Sequence, residues 1–400
     1  MVAALGLICF GKVVRSEQRQ TLKVLQITPS FYPARVYGGP IESVYQLCCH
    51  LSREGCEVRV LTTDANGLSA VLNVVKGREI EIGEGLRVRY CRRLIRHSVS
   101  PTLLRFLPSY LKWADVVHLT AVYSFPTIPT LLACKILDKP VIWSPRGALQ
   151  RWEGSTRVQI KSVWESVCRI IIPQKLVLHV TSEEEAGESL EKFPKLKTCI
   201  IPNGVTIPVE VTHHISNGSL RLLYLGRLHP IKGIENLLEA CKIFSSDPEM
   251  VWSLTIAGAG DPIYSEHIRI KIKELALSEN VKMIGEVKGD SKQKVFENMD
   301  VVIVPSYAEN FGMVVAEALA HGVPVIASKG TPWKRLEEIG CGFWVENDPR
   351  SLVEAIERMS KLPLRDMGQR GREWIEREFG WPIVTEKMVQ LYQRLMVDSQ

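Results

Sequence analysis

Short runs of β-branched and other apolar residues alternate along this chain with longer amphipathic stretches. The alternation predicts an α/β protein built on parallel sheets. Leu22–Thr28 (LKVLQIT) is the first strand, Ile41–Arg53 the first helix, stopped at Glu54-Gly55, and Glu57–Thr62 the second strand. The pattern continues with strands at Asp115–Leu119, Pro140–Ser144 and Leu176–Thr181, a helix through Pro129–Leu137, and a helix opening on Ser182 with acids in its first turn. Residues Thr206–Ser219, with Pro208, His213-His214 and Asn217-Gly218, read as a linker. The pattern then restarts: strand Leu220–Gly226, helix Gly233–Phe244, strand Trp252–Gly258, strand Val281–Gly285 and helix Lys292–Asn298. Helices at Pro349–Met359, Arg365–Glu378 and Trp381–Met396 close the chain.

The segment Val301–Pro332 organises the second half. Val301–Val304 and Val323–Ser328 are short apolar runs suited to buried parallel strands, and Gly312–His321 between them carries helical spacing with Gly322 as a stop. In such a βαβ unit ligands gather at the carboxyl ends of the strands, where helix amino termini present unpaired N–H groups. Glu309-Asn310-Phe311-Gly312 falls at that edge, and Glu317 lies about a turn and a half into the helix. Two carboxylates placed to accept hydrogen bonds suit a polyhydroxylated ligand such as a sugar or ribose. Arg227 and Lys232 bracket an earlier strand-to-helix turn, a place for two cations to meet a diphosphate. Tyr37-Gly38-Gly39-Pro40 ends an unusually long loop before the first helix and admits either a tight turn or close approach of a ligand.

The 400 residues fit two domains, and 46% apolar with 24% charged residues marks a soluble globular chain. No apolar run reaches the ~18 residues of a membrane span. Residues 1–20 lack a basic leader and a cleavage site, so a signal peptide is not expected, and the segment is set outside the fold as an N-terminal extension. The ten cysteines are scattered, which fits a reducing cytoplasm, and the nine histidines form no metal-binding pair. Gly258-Ala259-Gly260 has isoleucine at position 263, so the dinucleotide fingerprint fails. The formal charge is +6, unevenly spread: Arg87, Arg89, Arg92, Arg93, Arg96, Arg105 and Lys112 lie in a stretch without an acid, interleaved with Leu103, Leu107 and Leu111 on a short helix that Pro108 is expected to interrupt. Two readings stand: an anionic membrane surface met through Arg87–Lys112, or a solvated basic strand followed by a core helix. Nucleic acid is not expected as a partner, because no recognised module appears.

The run E-N-F-G-x-x-x-x-E-A-x-A-x-G-x-P-V-I-A from Glu309 to Ala327 resembles the E-x7-E signature of the family 4 retaining glycosyltransferases, also called glycosyl transferases group 1. G-R-L-x-P-x-K-G around Arg227 and Lys232 is a second motif of that family, and Ile200–Val205 resembles its I-P-N-G-V hinge. Ser144-Pro145-Arg146-Gly147 resembles an S-P-R-G subgroup of bacterial polysaccharide glycosyltransferases, with Arg146 where many members carry a histidine near the reacting sugar.

The resemblance implies the GT-B architecture: two doubly wound Rossmann-like domains facing a cleft, residues 21–205 and 220–380 joined by 206–219, with a helix over 381–400 crossing back to the first domain. It implies a retaining, metal-independent hexosyltransferase without cofactor, moving sugar from a nucleotide diphosphate donor to a glycan or lipid-linked acceptor of cell-surface polysaccharide or lipopolysaccharide synthesis. A nucleotide-sugar 2-epimerase and a non-catalytic nucleotide-sugar-binding subunit remain as alternatives. Glu309, Arg227, Lys232, Arg146 and His118 are the candidate catalytic residues, and Gly38, Gly39, Asn310, Phe311, Gly312 and Glu317 the candidate substrate-binding ones. His118 is assigned to a strand end, where a satisfied, half-buried histidine is the other reading. The expected location is cytoplasmic, peripheral on the inner face of the plasma membrane.

Overall fold

The computed structural model describes residues 21–83, 85–95, 98–150, 158–212, 218–245 and 250–397. The segment 1–20, Arg96 and His213-His214 fall outside that set, as does most of the C-terminal half of the expected linker. The chain divides into two compact units, one ending at Gly204 and completed by the residues from Trp381 onward, the other Val205–Gly380.

In the first unit β1 (Lys23–Ile27), α1 (Gly39–Arg53), β2 (Glu57–Thr63), β3 (Glu79–Glu81), β4 (Leu86–Cys91), α2 (Pro101–Trp113), β5 (Val116–Thr120), α3 (Thr127–Ile136), β6 (Val141–Ser144), α4 (Val158–Ile171), β7 (Leu176–Val180), α5 (Glu183–Lys192) and β8 (Lys197–Ile200) follow in order. They build an eight-stranded sheet, β3-β4-β2-β1-β5-β6-β7-β8, parallel except for β3 against β4. Its middle strands are buried from end to end, which is why they read as near-continuous apolar runs. Ser100 caps α2 and Ser182 caps α5, each hydroxyl accepting a first-turn N–H.

The second unit contains β9 (Leu220–Leu225), α6 (Ile234–Phe244), β10 (Trp252–Ala257), α7 (Pro262–Glu274), β11 (Val281–Gly285), α8 (Asp290–Glu297), β12 (Val301–Val304), α9 (Met313–Ala320), β13 (Val325–Ser328), α10 (Leu336–Ile339), β14 (Gly342–Val345), α11 (Pro349–Met359) and α12 (Leu364–Phe379). Its six strands are all parallel, in the order β11-β10-β9-β12-β13-β14. The order runs outward from β9 in one direction and from β12 in the other, so the sheet reverses between those two strands. This is the doubly wound arrangement, with a crevice expected at the reversal.

The last helix, α13 (Trp381–Val397), belongs to the first unit. Trp381, Val384, Met388, Leu391 and Tyr392 are buried against one face of the eight-stranded sheet and α1. The Trp381 ring stacks on His50 with centroids 4.8 Å apart. At the other end of the same junction Val205 N–H donates to Phe379 and Arg372 donates to the Pro208 carbonyl, so residues 205 to 208 are tied to the second unit.

The basic stretch departs from its sequence reading in two ways. Leu103, Leu107 and Leu111 are buried beneath α2 and cannot enter a membrane, because they fill the gap between the helix and the sheet. Acids missing from the stretch come from neighbouring strands: Arg87 lies 4.0 Å from Glu57, and Arg89 is paired across the ladder with Glu79. Arg89 also donates to the Tyr110 hydroxyl at 2.8 Å and lies 4.1 Å from the Phe106 ring centroid. Arg93 donates to the Gly67 and Ala70 carbonyls, and its backbone N–H to Asp64. Pro108 does not break α2, which runs on to Trp113 with Pro108 on its exposed side.

Gly204 sits under Trp381, where a Cβ would lie 2.3 Å from the indole ring. Gly204→Ala is therefore expected to lift the start of α13 and cost about 1–3 kcal/mol by overpacking. The urea midpoint of the full chain measures it; an unchanged midpoint would show that the ring yields freely.

Candidate functional site

The reversal between β9 and β12 brings together two loops of the second unit. After β9 the chain passes Gly226, Arg227, Leu228 and His229 and tightens into a 3-10 turn over Pro230–Lys232. The His229 ring nitrogen Nδ1 accepts the Ile231 N–H at 3.2 Å and so fixes that turn. Burial, and then the charges of Arg227 and Lys232, push the His229 pKa down, in keeping with a neutral acceptor. Gly233 follows with φ of 62°, and a Cβ there would come within 2.0 Å of the Pro305 carbonyl oxygen. Only glycine lets the turn after β9 lie on the backbone after β12. Tyr307 N–H donates to Ile231 O at 2.8 Å and clamps the two loops.

Held this way, Lys232 forms an ion pair with Glu309, whose Oε1 also accepts from the Ser306 hydroxyl at 2.9 Å. Glu309 N–H donates to Gly330 O at 2.8 Å, fixing the acidic loop against the strand that follows. Gly312, with φ of 75°, is the N-cap of α9. The first turn of the helix leaves N–H groups without intrahelical acceptors, aimed at the same crevice. Arg227 is exposed on the β9 loop, and no described side chain pairs with it. Glu317 lies one turn into α9 and is ion-paired at 2.6 Å with Lys292 of α8.

Lys232 and Glu309 are thus in direct contact, with Arg227 and Gly312 on the adjoining loops. Phe311 can take part through its backbone alone. Its ring is buried, 5.3 Å from Trp333 and packed toward Phe379, and its carbonyl accepts from the Trp333 indole, so the side chain anchors the loop from beneath and offers no ligand contact. Asn310 is half-buried in the same loop.

In the first unit Gly38 has φ of 76° and ends the loop after β1; Gly39 is already the first residue of α1, two positions earlier than the sequence pattern gives, because Pro40 is tolerated in a first turn. A Cβ at either glycine would meet nothing of the described chain, which leaves open space above this helix start. Arg146, beyond β6, has φ of 54° and donates through Nη1 to the Asn203 side-chain oxygen. Its Nε is buried without a partner among the described residues. Burial pushes the guanidinium pKa down, with Glu185 opposing. Arg146, His179 and Asn203, with Ser43 and Trp381, border a pocket of about 10 Å³, room for one small group.

His118 is not at a strand end. It is the third residue of β5, with no exposed surface, and both ring nitrogens are engaged. His179 Nε2 lies 2.9 Å from the Ile201 carbonyl, which can only accept, so His179 carries its proton there and accepts at Nδ1 from the Ser144 hydroxyl at 2.7 Å. Ser144 Oγ, having given its proton to His179, accepts from His118 Nε2 at 2.6 Å. His118 Nδ1 then accepts from the Tyr392 hydroxyl at 2.6 Å. A single directed chain of hydrogen bonds therefore runs from α13 through β5, β6 and β7 to the residue before Pro202. His118 is a structural member of it, out of reach of any substrate.

Two family models match successive parts of the chain: Glycosyltransferase Family 4 over residues 37–207 and Glycosyl transferases group 1 over residues 211–374. The chain belongs to the group 1 glycosyltransferases. The uncharacterized glycosyltransferase MJ1607 of Methanocaldococcus jannaschii is 28% identical over 258 residues, 59% of this chain and 62% of that one. The D-inositol 3-phosphate glycosyltransferases of Catenulispora acidiphila and Saccharomonospora viridis are both 29% identical and are matched over less than half their length, 44% and 43%. The phosphatidyl-myo-inositol mannosyltransferase of Mycobacterium leprae is 26% identical and is matched over 90% of this chain and 94% of its own. Among solved structures, Anabaena Alr3699/HepE in complex with UDP-glucose superposes with a TM-score of 0.69 at 16% identity, covering 93% of this chain and all of that one. Structural neighbours of this kind are GT-B glycosyltransferases, which fixes the fold class of this group 1 member as a pair of Rossmann-like units.

Sequence motifs found Lys232, Glu309 and Gly312 but not Ser306; they included Asn203 and Ser144 without giving either a role, and missed Tyr392 as the other partner of His118. The available signal for His179 was a polar residue inside a buried strand, LVLHV; for Tyr392 there was none, since its partner lies 274 residues away.

Both wire histidines are held neutral. Burial is the first cause for each; His118 is pushed well down, and His179, with Arg146 adding, to about 3. Unfolded imidazoles take up protons near pH 6.5, so below that pH the unfolded chain binds more protons and stability falls. The contribution is complete above about pH 6.5 and should be lost progressively below it, for His179 toward about pH 3, at up to ~1.4 kcal/mol per pH unit for each histidine. Urea midpoints taken between about pH 7 and 5 measure it; a flat profile would contradict the neutral wire.

Proposed function

We propose that this protein transfers a hexosyl group from a nucleotide diphosphate sugar to a hydroxyl acceptor with retained anomeric configuration. The observation that carries the reading is the Lys232–Glu309 ion pair at the strand-order reversal of the second unit, beside the exposed Arg227 and the start of α9. A diphosphate needs cations and N–H donors, a sugar needs carboxylate and backbone acceptors, and this crevice offers both sets within one unit. The HepE neighbour, described with UDP-glucose, supports a nucleotide-sugar donor. The name of the mycobacterial relative supports a lipid-linked acceptor, alongside a polysaccharide intermediate.

In the proposed step the bond between the anomeric carbon and the diphosphate oxygen breaks, the bond to the acceptor oxygen forms on the same face, and the acceptor proton passes to the departing phosphate. Charge accumulates on the leaving group. Arg227, Lys232 and the α9 N–H groups stabilise it there. Glu309 and the backbone from Asn310 to Gly312 hold sugar hydroxyls, and Glu317 accepts from the nucleotide ribose. Gly38 and Gly39 are assigned to the donor, as the resemblance implies, and Arg146 to a position near the reacting sugar. A guanidinium cannot serve as the base, so Arg146 binds an anionic or polar group and the histidine chemistry of other members is not used. With Arg227 and Lys232 neutralising the diphosphate, no divalent metal is required.

Incubation with a panel of UDP-, GDP- and ADP-sugars, with and without acceptor, tests the reading. Transfer requires acceptor; formation of an epimerised sugar from donor alone would favour the 2-epimerase. Lys232→Ala should lower kcat by about 10²–10³-fold, a barrier increase of about 2.7–4 kcal/mol, the usual worth of one oriented donor at a developing charge. Because Lys232 and Glu309 touch, the double variant with Glu309→Ala should lose less than the sum of the two single losses. Activity retained at wild-type level in both single variants would remove the site. Activity should also survive EDTA, and abolition by the chelator would contradict the role given to Arg227 and Lys232.

A further inference from the structure

Glu185 is a buried carboxylate that the proposed chemistry does not use. It is the third residue of α5, 3% exposed, and its own N–H donates to the capping Ser182 hydroxyl at 3.1 Å. A glutamate three residues after a capping serine ordinarily turns back to the start of its own helix. One oxygen does so here: Oε2 accepts the Thr181 N–H at 2.7 Å and the Thr181 hydroxyl at 2.8 Å. The other crosses to a neighbouring strand exit, where Oε1 accepts the Gly147 N–H at 2.7 Å. The carboxylate therefore ties the end of β7 to the loop after β6. All three donors are neutral, and the amino-terminal end of α5 favours the negative charge they receive.

The loop it holds is the Arg146 turn. Ala148 N–H donates to the Pro145 carbonyl at 3.1 Å, and both residues inside that turn have positive φ, 54° at Arg146 and 75° at Gly147. Such a turn suits glycine at both places, and an arginine in the left-handed region persists only where its surroundings impose it. The peptide that joins Arg146 to Gly147 is the one whose N–H Glu185 accepts, so rotating that peptide out of the turn breaks the bond. The guanidinium end is fixed separately by Asn203. We infer that Glu185 is a positioning residue for Arg146: it holds the Arg146–Gly147 peptide in the turn and so places the guanidinium near the reacting sugar. The catalytic part of this inference rests on the transferase reading above; the hold on the turn does not.

The test uses the full chain with Glu185→Ala, which removes both acceptor oxygens, and Glu185→Gln, which keeps the shape and one of them. Circular dichroism confirms that each folds; if the alanine variant does not, the glutamine variant decides. Amide hydrogen exchange at Gly147 should quicken about tenfold in the alanine variant and less in the glutamine one. Reaction of Arg146 with phenylglyoxal, followed by peptide mass, should quicken with it. In transfer assays kcat should fall about tenfold to a hundredfold with the donor KM unchanged, since the residues given to the diphosphate stand in the second unit. In an Arg146→Ala background the same Glu185 change should lower kcat no further, while its loss of stability in urea persists. Thr181→Val, which takes one bond from the carboxylate and none from the turn, should cost stability and leave kcat as it is. An equal loss of kcat in both backgrounds makes Glu185 merely structural and overturns the proposal. Unchanged exchange at Gly147 and unchanged labelling of Arg146 overturn it as well. Those two readouts need no turnover, so a chain that transfers nothing would refute the transferase reading while they still decide whether Glu185 holds Arg146.

Discussion

A parallel strand cannot end without its next loop crossing a layer, and where the winding direction reverses, two neighbouring loops must leave in opposite directions. In the second unit that reversal falls between β9 and β12, and every residue offered for donor chemistry stands on one of the two strands' exits or on the helix behind them. The close approach of these exits is what demands glycine at position 233. A methyl there would separate the Lys232 turn from the Glu309 loop. The clamp from Tyr307 to Ile231 and the cap from His229 then hold the loops at a spacing where an ammonium and a carboxylate meet. The geometry of the site is thus a consequence of strand order before it is a consequence of any one side chain.

The first unit solves a different problem with the same kind of sheet. Its central strands are wholly buried, yet three of them carry His118, Ser144 and His179. A buried imidazole without partners would cost several kcal/mol, so the polar groups must satisfy one another. They do so in one direction only, because the last acceptor is a carbonyl, and the first donor is supplied by Tyr392 from the far end of the sequence. Docking α13 on this unit completes the chain of donors and acceptors. Its loss would leave His118 with a bare acceptor in the core.

How much of this the sequence revealed follows the range of the interactions. The βαβ segment from Val301 to Ser328 and the Arg227–Lys232 turn were legible, since glycine stops, short β-branched runs and acid spacing are local signals. The end of α13 was legible as a helix for the same reason. His118 was not, because whether a strand histidine is a site or a core residue depends on partners in β6 and α13. The run from Arg87 to Lys112 looked uncompensated because Glu57 and Glu79 sit on other strands and reach it only through the ladder. Phe311 lay inside a functional motif and yet faces the core, a distinction that needs the position of Trp333.

The two units place their charges in contrasting ways. Lys232 and Glu309 neutralise each other across the crevice without a ligand, and Lys292 does the same for Glu317. A partly buried pair of this kind avoids the cost of a lone desolvated charge, and an incoming diphosphate or hydroxyl replaces one partner rather than meeting a bare ion. Arg227 has no such partner among the described residues and stays in solvent, where an unpaired guanidinium costs little. Arg146 lies between these cases: among the described residues it is paired with the neutral oxygen of Asn203, its Nε is buried beside a pocket with room for one small group, and Glu185 acts on its charge at a distance. Removing a partner from a buried charge is far more costly than removing an exposed one. Among the described residues Arg146 is therefore a buried cation with no carboxylate in contact, and an anionic oxygen would complete its balance.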